Sequence, residues 1–307
     1  MGELSKKIGE DGELLALEFF KRIGWHPLET AIDIVCADPH EHILRGSKGD
    51  RSSHGVDLLF SYLCPLMPRT RRNVLISMKN SNYEKTYNRS SLVKDDMLEL
   101  DWSISCFSRS PKRSDLQMAG GANTIRDSGV LIRLNRDASV ARSFVGDDPE
   151  SLSRQQYANS VHFIENSRFD FVDQCMSYLD KNLRDAKNEF KIHRNSLSFG
   201  GDVRVIASPF LPLQSLVAGP IIIRSEDNTN KILVVFSTDV FSDSALKRMI
   251  GLALQCSDGW ASEVRIVMPG YDRSKAGVVD GIRSQLQDRK FARTIACDSF
   301  ENRSRLK

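Results

Sequence analysis

Glu13, Asp57, Ser77 and Lys79 are the residues of this chain whose types and spacing suit a chemistry. They fall in three short segments: Gly9-Glu10-Asp11-Gly12-Glu13 opening a helix, His54-Gly55-Val56-Asp57-Leu58-Leu59 opening a strand, and Val74-Leu75-Ile76-Ser77-Met78-Lys79 closing one. Carboxylate oxygens suit a hard divalent cation such as Mg²⁺ or Mn²⁺, which stabilises the charge that develops when a phosphate is attacked in line. A lysine beside the attacking water positions it or takes up its proton. Two carboxylates, a hydroxyl and a lysine at one point are what a metal-dependent phosphodiesterase needs.

The elements that must position them follow from periodicity. From Glu10 to Ile23 the residues Leu14, Leu17, Phe20 and Ile23 recur at helical spacing, and Gly24 stands where a C-cap glycine belongs. On that helix Glu13 shares a face with Ala16, Leu17 and Phe20, with Glu10 one turn earlier. The plainer role for both is to offset the helix dipole in a first turn. Strands are expected over Ala31 to Ala37, Val56 to Tyr62, Val74 to Met78 and Gly129 to Leu134, with a helix around Leu92 to Leu100. Asp57 falls on the side of Leu59, where an unpaired carboxylate is costly to desolvate and needs a partner or a metal. Leu75, Ser77 and Lys79 face one way, and a structural ion pair is the other reading of the lysine.

Taken together the segments resemble the PD-(D/E)xK nuclease superfamily, the restriction-endonuclease-like fold. There a Glu on the first helix, an Asp at a strand start and a (D/E)xK triplet on the next strand form the site. The layout looks most like the branch of archaeal Holliday-junction resolvases and Mrr-type restriction enzymes. The resemblance implies that Glu13, Asp57 and the main-chain carbonyl of Met78 hold Mg²⁺ or Mn²⁺, and that Lys79 orients or activates the water. It further implies DNA as substrate, a role in restriction or antiphage defence, and a homodimer or a complex with a second defence subunit. Ser77 departs from the pattern, because the superfamily places Asp or Glu there and a hydroxyl cannot balance a divalent cation. Either Glu13, with Glu10, makes up the charge, or the chain is a degenerate nuclease-fold subunit that binds DNA or a partner protein. Lys48 and Arg51 in the polar loop, with Arg71 and Arg72 in the turn before the Lys79 strand, are the candidate contacts to nucleic acid.

The fold expected is α/β: an N-terminal α-β-β-β-α-β core over residues 1–150 and a second α/β domain over 151–307. The division is drawn where the composition turns to Asp, Ser, Arg, Gln and Asn around Gly146 and Pro149. In the second half, strands at Val203 to Ala207, Pro220 to Ile223, Ile232 to Phe236, Val264 to Met268 and Phe291 to Ala296 alternate with helices at Phe169 to Leu183, Ser244 to Leu254 and Lys275 to Leu286. Asp239 reads as a helix cap rather than a catalytic group.

With 307 residues, 40% of them hydrophobic and 27% charged, the chain has the composition of a globular protein. It has no apolar run of about 18 residues, so a cytoplasmic protein is expected. A formal charge of +3 permits a polyanionic partner without requiring one. Six cysteines with no CxxC pair argue against a disulfide framework and a zinc ribbon. Cys36, His40 and His42 fit no common structural zinc spacing, and no fourth ligand is apparent. Neither a GxxxxGK[ST] phosphate loop nor a GxSxG elbow is present.

Overall fold

The computed structural model describes residues 12, 14–43, 49–81, 89–135, 156–193 and 205–300; Glu10, Glu13 and Lys48 lie outside these. The chain forms two compact units, the first ending at Phe169 and the second beginning at Asp170.

In the first unit, helix α1 (residues 14–22) is followed by β1 (Glu29–Val35), β2 (Ser53–Leu63), β3 (Thr70–Ser81), α2 (Arg89–Ser108), α3 (Pro111–Met118), β4 (Thr124–Asn135) and β5 (Ser160–Glu165). The strands form one sheet in the order β1-β2-β3-β4-β5. β1, β2 and β3 pair antiparallel, whereas β3, β4 and β5 pair parallel. Parallel neighbours need a long crossover, and between β3 and β4 that crossover contains α2. This is a restriction-endonuclease-like core, with α3 and β5 added to the α-β-β-β-α-β order.

Each face of the sheet has its own cover. On one, Trp25 just after α1 stacks between Phe20 and Phe60, at 4.9 and 4.7 Å between ring centres. On the other, Leu59, Leu75 and Leu131 pack against Met97, Leu100 and Ile104 of α2. Gly129 of β4 lies under that helix. A Cβ there would come within 2.8 Å of Leu100 and 2.9 Å of Ile104, so the close approach of α2 requires glycine.

β5 belongs to the first unit although its approach reads as linker. Asp101 of α2 accepts the main-chain N–H of Ala158 and Asn159, at 3.1 and 2.8 Å, and so holds the entry to the strand. The division therefore follows Phe169, within helix α4 (Asn166–Asn182), rather than the polar run near residue 150.

The second unit contains β6 (Lys187–His193), β7 (Val205–Ser208), α5 (Leu213–Val217), β8 (Ile221–Glu226), β9 (Lys231–Phe236), α6 (Asp243–Ser257), β10 (Glu263–Val267), α7 (Ala276–Gln285), α8 (Arg289–Thr294) and β11 (Ile295–Asp298). Its sheet runs β11-β10-β9-β8-β6-β7. Leu246 and Ile250 of α6 and Val279 and Ile282 of α7 share a core with Leu233, Val235 and Ile266. β8 and β9 form the expected hairpin, whose turn is fastened by the Asp227 carboxylate accepting the amides of Thr229 and Asn230 at 2.7 Å each. Two expectations are corrected. Phe291 to Ala296 is not one strand, because Asp288 caps the Phe291 amide at 2.9 Å and starts α8, leaving β11 to begin at Ile295. The cap of α6 is Ser242, while Asp239 pairs with Arg248 at 2.9 Å. Among the described residues no helix is long and apolar enough to cross a membrane.

Candidate functional site

The β2–β3 ladder runs from Leu63↔Arg71 to Leu58↔Ile76. One step beyond its end, an Asp57 carboxylate oxygen accepts the main-chain N–H of Met78 at 2.5 Å. Continuing the register sets Asp57 opposite Ser77, and residues directly opposite on antiparallel strands share a face. Lys79, two positions on, shares it too. Across the parallel β3–β4 ladder Ser77 neighbours Leu131 and Lys79 neighbours Arg133. The apolar row of Leu59, Leu75 and Leu131 under α2 thus runs into a polar row of Asp57, Ser77, Lys79 and Arg133. Asp57, Ser77, Met78 and Lys79 are all partly exposed.

Helix α2 supplies further charge to this face. Its Asp96 pairs with Arg133, and its Glu99 pairs with Arg51, whose Nε also donates to the carbonyl of Ser53 at 2.9 Å. Burial pushes the Asp96 carboxyl above the usual aspartate range, against the pull of Arg133 and Lys79 nearby. Beside Asp57, Ala31 adopts a left-handed conformation with φ 52°, between the Thr30↔Leu58 and Ile32↔Val56 pairs. Such a backbone is strained for a residue with a Cβ.

Of the residues expected from the sequence, Asp57, Ser77, Met78 and Lys79 come together at the end of β3, with Arg51 held by α2. Glu13 and Lys48 lie outside the described residues. Arg71 and Arg72 lie at the opposite end of β3, roughly 20 Å or more from Lys79 along an extended strand. Arg71 donates to Ser61 Oγ at 3.2 Å and to the Gly120 carbonyl at 3.0 Å. Arg72 is buried and donates to Ser128 Oγ at 3.0 Å. Arg109, Lys112 and Arg113, which cluster around the start of α3, are each paired with a carboxylate, Arg109 with Asp38, Lys112 with Glu29 and Arg113 with Asp127. Asp96, Glu99 and Arg133 escaped the sequence reading. Their signal is an arginine inside the apolar run Val130-Leu131-Ile132-Arg133-Leu134, which needs a buried anion opposite it.

The second oxygen of Asp57 accepts no hydrogen bond among the described residues, and with the Met78 carbonyl it offers the oxygen donors a hard cation takes. Of the carboxylates that α2 brings to this face, Asp96 is paired with Arg133 and Glu99 with Arg51, and Ser77 is neutral. The donors fit one side of a Mg²⁺ site, and Glu13 is the carboxylate expected to complete it.

A family model described as "GAPS4 protein PD-(D/E)XK nuclease domain" matches residues 1–168, more than half of the 307. That family is of nuclease type and linked to phage defence. No curated protein and no solved structure matches the chain.

Proposed function

The chain belongs to the GAPS4 PD-(D/E)XK nuclease family, and on that premise we propose that it is a metal-dependent endonuclease hydrolysing DNA phosphodiester bonds in cytoplasmic antiphage or restriction defence. The observation that supports this most is the capture of the Met78 amide by Asp57. It fixes the carboxylate at the strand end where Ser77 and Lys79 share its face.

In this reading Asp57, the Met78 carbonyl and Glu13 hold Mg²⁺ or Mn²⁺. The bound cation stabilises the charge that develops on the attacked phosphate. Lys79 orients the attacking water and takes up its proton. Ser77 Oγ hydrogen-bonds that water, and Arg133 with Asp96 limits the positions open to the Lys79 amine, which accepts the proton in its neutral form. Lys48 and Arg51 approach the phosphate backbone of DNA. Cutting both strands of a duplex needs two such sites, which a homodimer or a second defence subunit provides.

The test is cleavage of supercoiled plasmid by the intact protein with Mg²⁺ or Mn²⁺. Asp57→Ala and Lys79→Ala should each slow it on the order of 10²- to 10⁴-fold. Wild-type rates in both variants would show the site to be wrong. Ser77, in place of an acidic residue, favours a second reading as a nuclease-fold scaffold that docks DNA or a partner. Calorimetric titration separates the two. The nuclease binds Mn²⁺ and loses it on Asp57→Asn, whereas a scaffold takes up no Mn²⁺ at Asp57.

A further inference from the structure

Away from the Asp57 site, four side chains from four parts of the first unit meet in its interior. Cys36 follows β1, His42 lies in the connection to β2, His54 is in β2 and Cys106 is in α2. They are 6, 6, 0 and 2% exposed, and one ligand atom from each lies within 4.8 Å of the others. His40, the other histidine of the Cys-Ala-Asp-Pro-His-Glu-His segment, turns outward to Asp50 at 2.8 Å. The missing ligands of that segment are thus His54 and Cys106, brought to it by the β1–β2 pairing and by the packing of α2.

The distances suit one particular object. His42 Nδ1 lies 3.3 Å from His54 Nε2, 3.4 Å from Cys36 Sγ and 3.5 Å from Cys106 Sγ, and Cys106 Sγ lies 3.5 Å from His54 Nε2. A tetrahedral zinc ion with bonds of about 2.3 Å to sulfur and 2.05 Å to nitrogen has N···N edges of about 3.3 Å and S···N edges of about 3.6 Å. Hydrogen bonding alone does not account for the convergence. An imidazole nitrogen has one hydrogen or one lone pair, so Nδ1 of His42 can satisfy only one of its three short contacts. Two thiolates balance the ion's charge, which makes the centre neutral overall and suited to its burial. Outer contacts are present too. The Ala37 amide donates to Cys106 Sγ at 3.3 Å, Asp38 lies 4.0 Å from His42 Nε2, and Trp102 stacks on the His42 ring at 5.1 Å.

We propose that Cys36, His42, His54 and Cys106 form a structural zinc site that fastens α2 to β1 and β2. With four protein ligands the coordination is closed, leaving no position for substrate. The inference does not depend on the nuclease reading. Its consequence for the Asp57 face is positional, since α2 also carries Asp96 and Glu99.

The full chain, purified without chelator, should hold about one zinc per chain by elemental analysis. Cys36→Ser and Cys106→Ser should each lose most of it, whereas Cys64→Ser, at a buried cysteine outside the cluster, should keep it. Replacement of zinc by Co²⁺ in the wild-type protein should give tetrahedral ligand-field absorption with a thiolate charge-transfer band, a readout that stands even where the ligand variants fail to fold. Wild-type protein without zinc that also gives no thiolate band with Co²⁺ would overturn the proposal. So would Cys106→Ser retaining a full equivalent.

Discussion

Asp57 and Asp96 are carboxylates of one face in opposite settings. Asp57 is partly exposed and ties one oxygen to a main-chain amide, which leaves the other able to meet a cation. Asp96 is enclosed by α2 and β4, and burial raises its carboxyl even with Arg133 in contact and Lys79 nearby. A carboxyl whose folded pKa exceeds its unfolded one takes up a proton on folding. Its contribution is therefore complete below the ordinary aspartate range and is lost as pH rises through the shifted value. Relative to Asp96→Asn, the wild-type chain should lose stability as pH rises from about 4 through the range in which the raised carboxyl ionises, because the amide has no such titration. Urea midpoints of the two proteins across that range check it, and parallel curves would mean that Asp96 titrates as it does in water. The same residue shows why parts of the site were hidden in the sequence. Alternation along each strand sets Asp57 with Leu59 and Ser77 with Lys79, whereas the face that Asp57 shares with the other two follows only from the β2–β3 register. Asp96 and Arg133 acquire meaning only from a contact between a helix and a strand that are distant in sequence.

At the scale of elements, α2 governs both clusters of the first unit. It runs Arg89–Ser108 rather than Leu92 to Leu100, because Asp101, a charge that interrupts the apolar stripe just past Leu100, is held by the main-chain amides of Ala158 and Asn159. Strand β5 was missed for a related reason: a Ser- and Asn-rich approach resembles a linker until Asp101 is seen to bind its amides. β1, β2 and β3 are legible as successive strands because turn residues punctuate them, whereas their antiparallel pairing is a finding of the structure. The fit of α2 against the sheet turns on Gly129. Gly129→Ala forces its Cβ into Leu100 and Ile104 and should cost about 1–3 kcal/mol by urea unfolding. Gly55→Ala, in β2 next to the Asp57 site, meets nothing within 4 Å and should leave stability unchanged or raise it by up to about 1 kcal/mol. Equal losses in the two variants would mean that α2 does not pack as closely as these distances require.

At the scale of the molecule, each unit has its own sheet and its own apolar core, and this separation has a measurable consequence. Leu59, Leu75 and Leu131 pack with α2, whereas Leu233, Val235 and Ile266 pack with α6 and α7. Domains with separate cores need not unfold in one step, so a single unfolding free energy is not defined for such a chain in advance. Substitutions without shared neighbours act independently, and each should report on its own unit. Leu233 is fully buried in β9, and Leu233→Ala should destabilise the second unit by about 2–5 kcal/mol. Hydrogen exchange read peptide by peptide then separates the units. Leu233→Ala should speed exchange in β8, β9 and β10 while β3 and β4 keep their wild-type protection, and Gly129→Ala should do the reverse. If either substitution accelerates exchange equally in both sheets, the chain unfolds as one cooperative body, and the division after Phe169 has no thermodynamic counterpart.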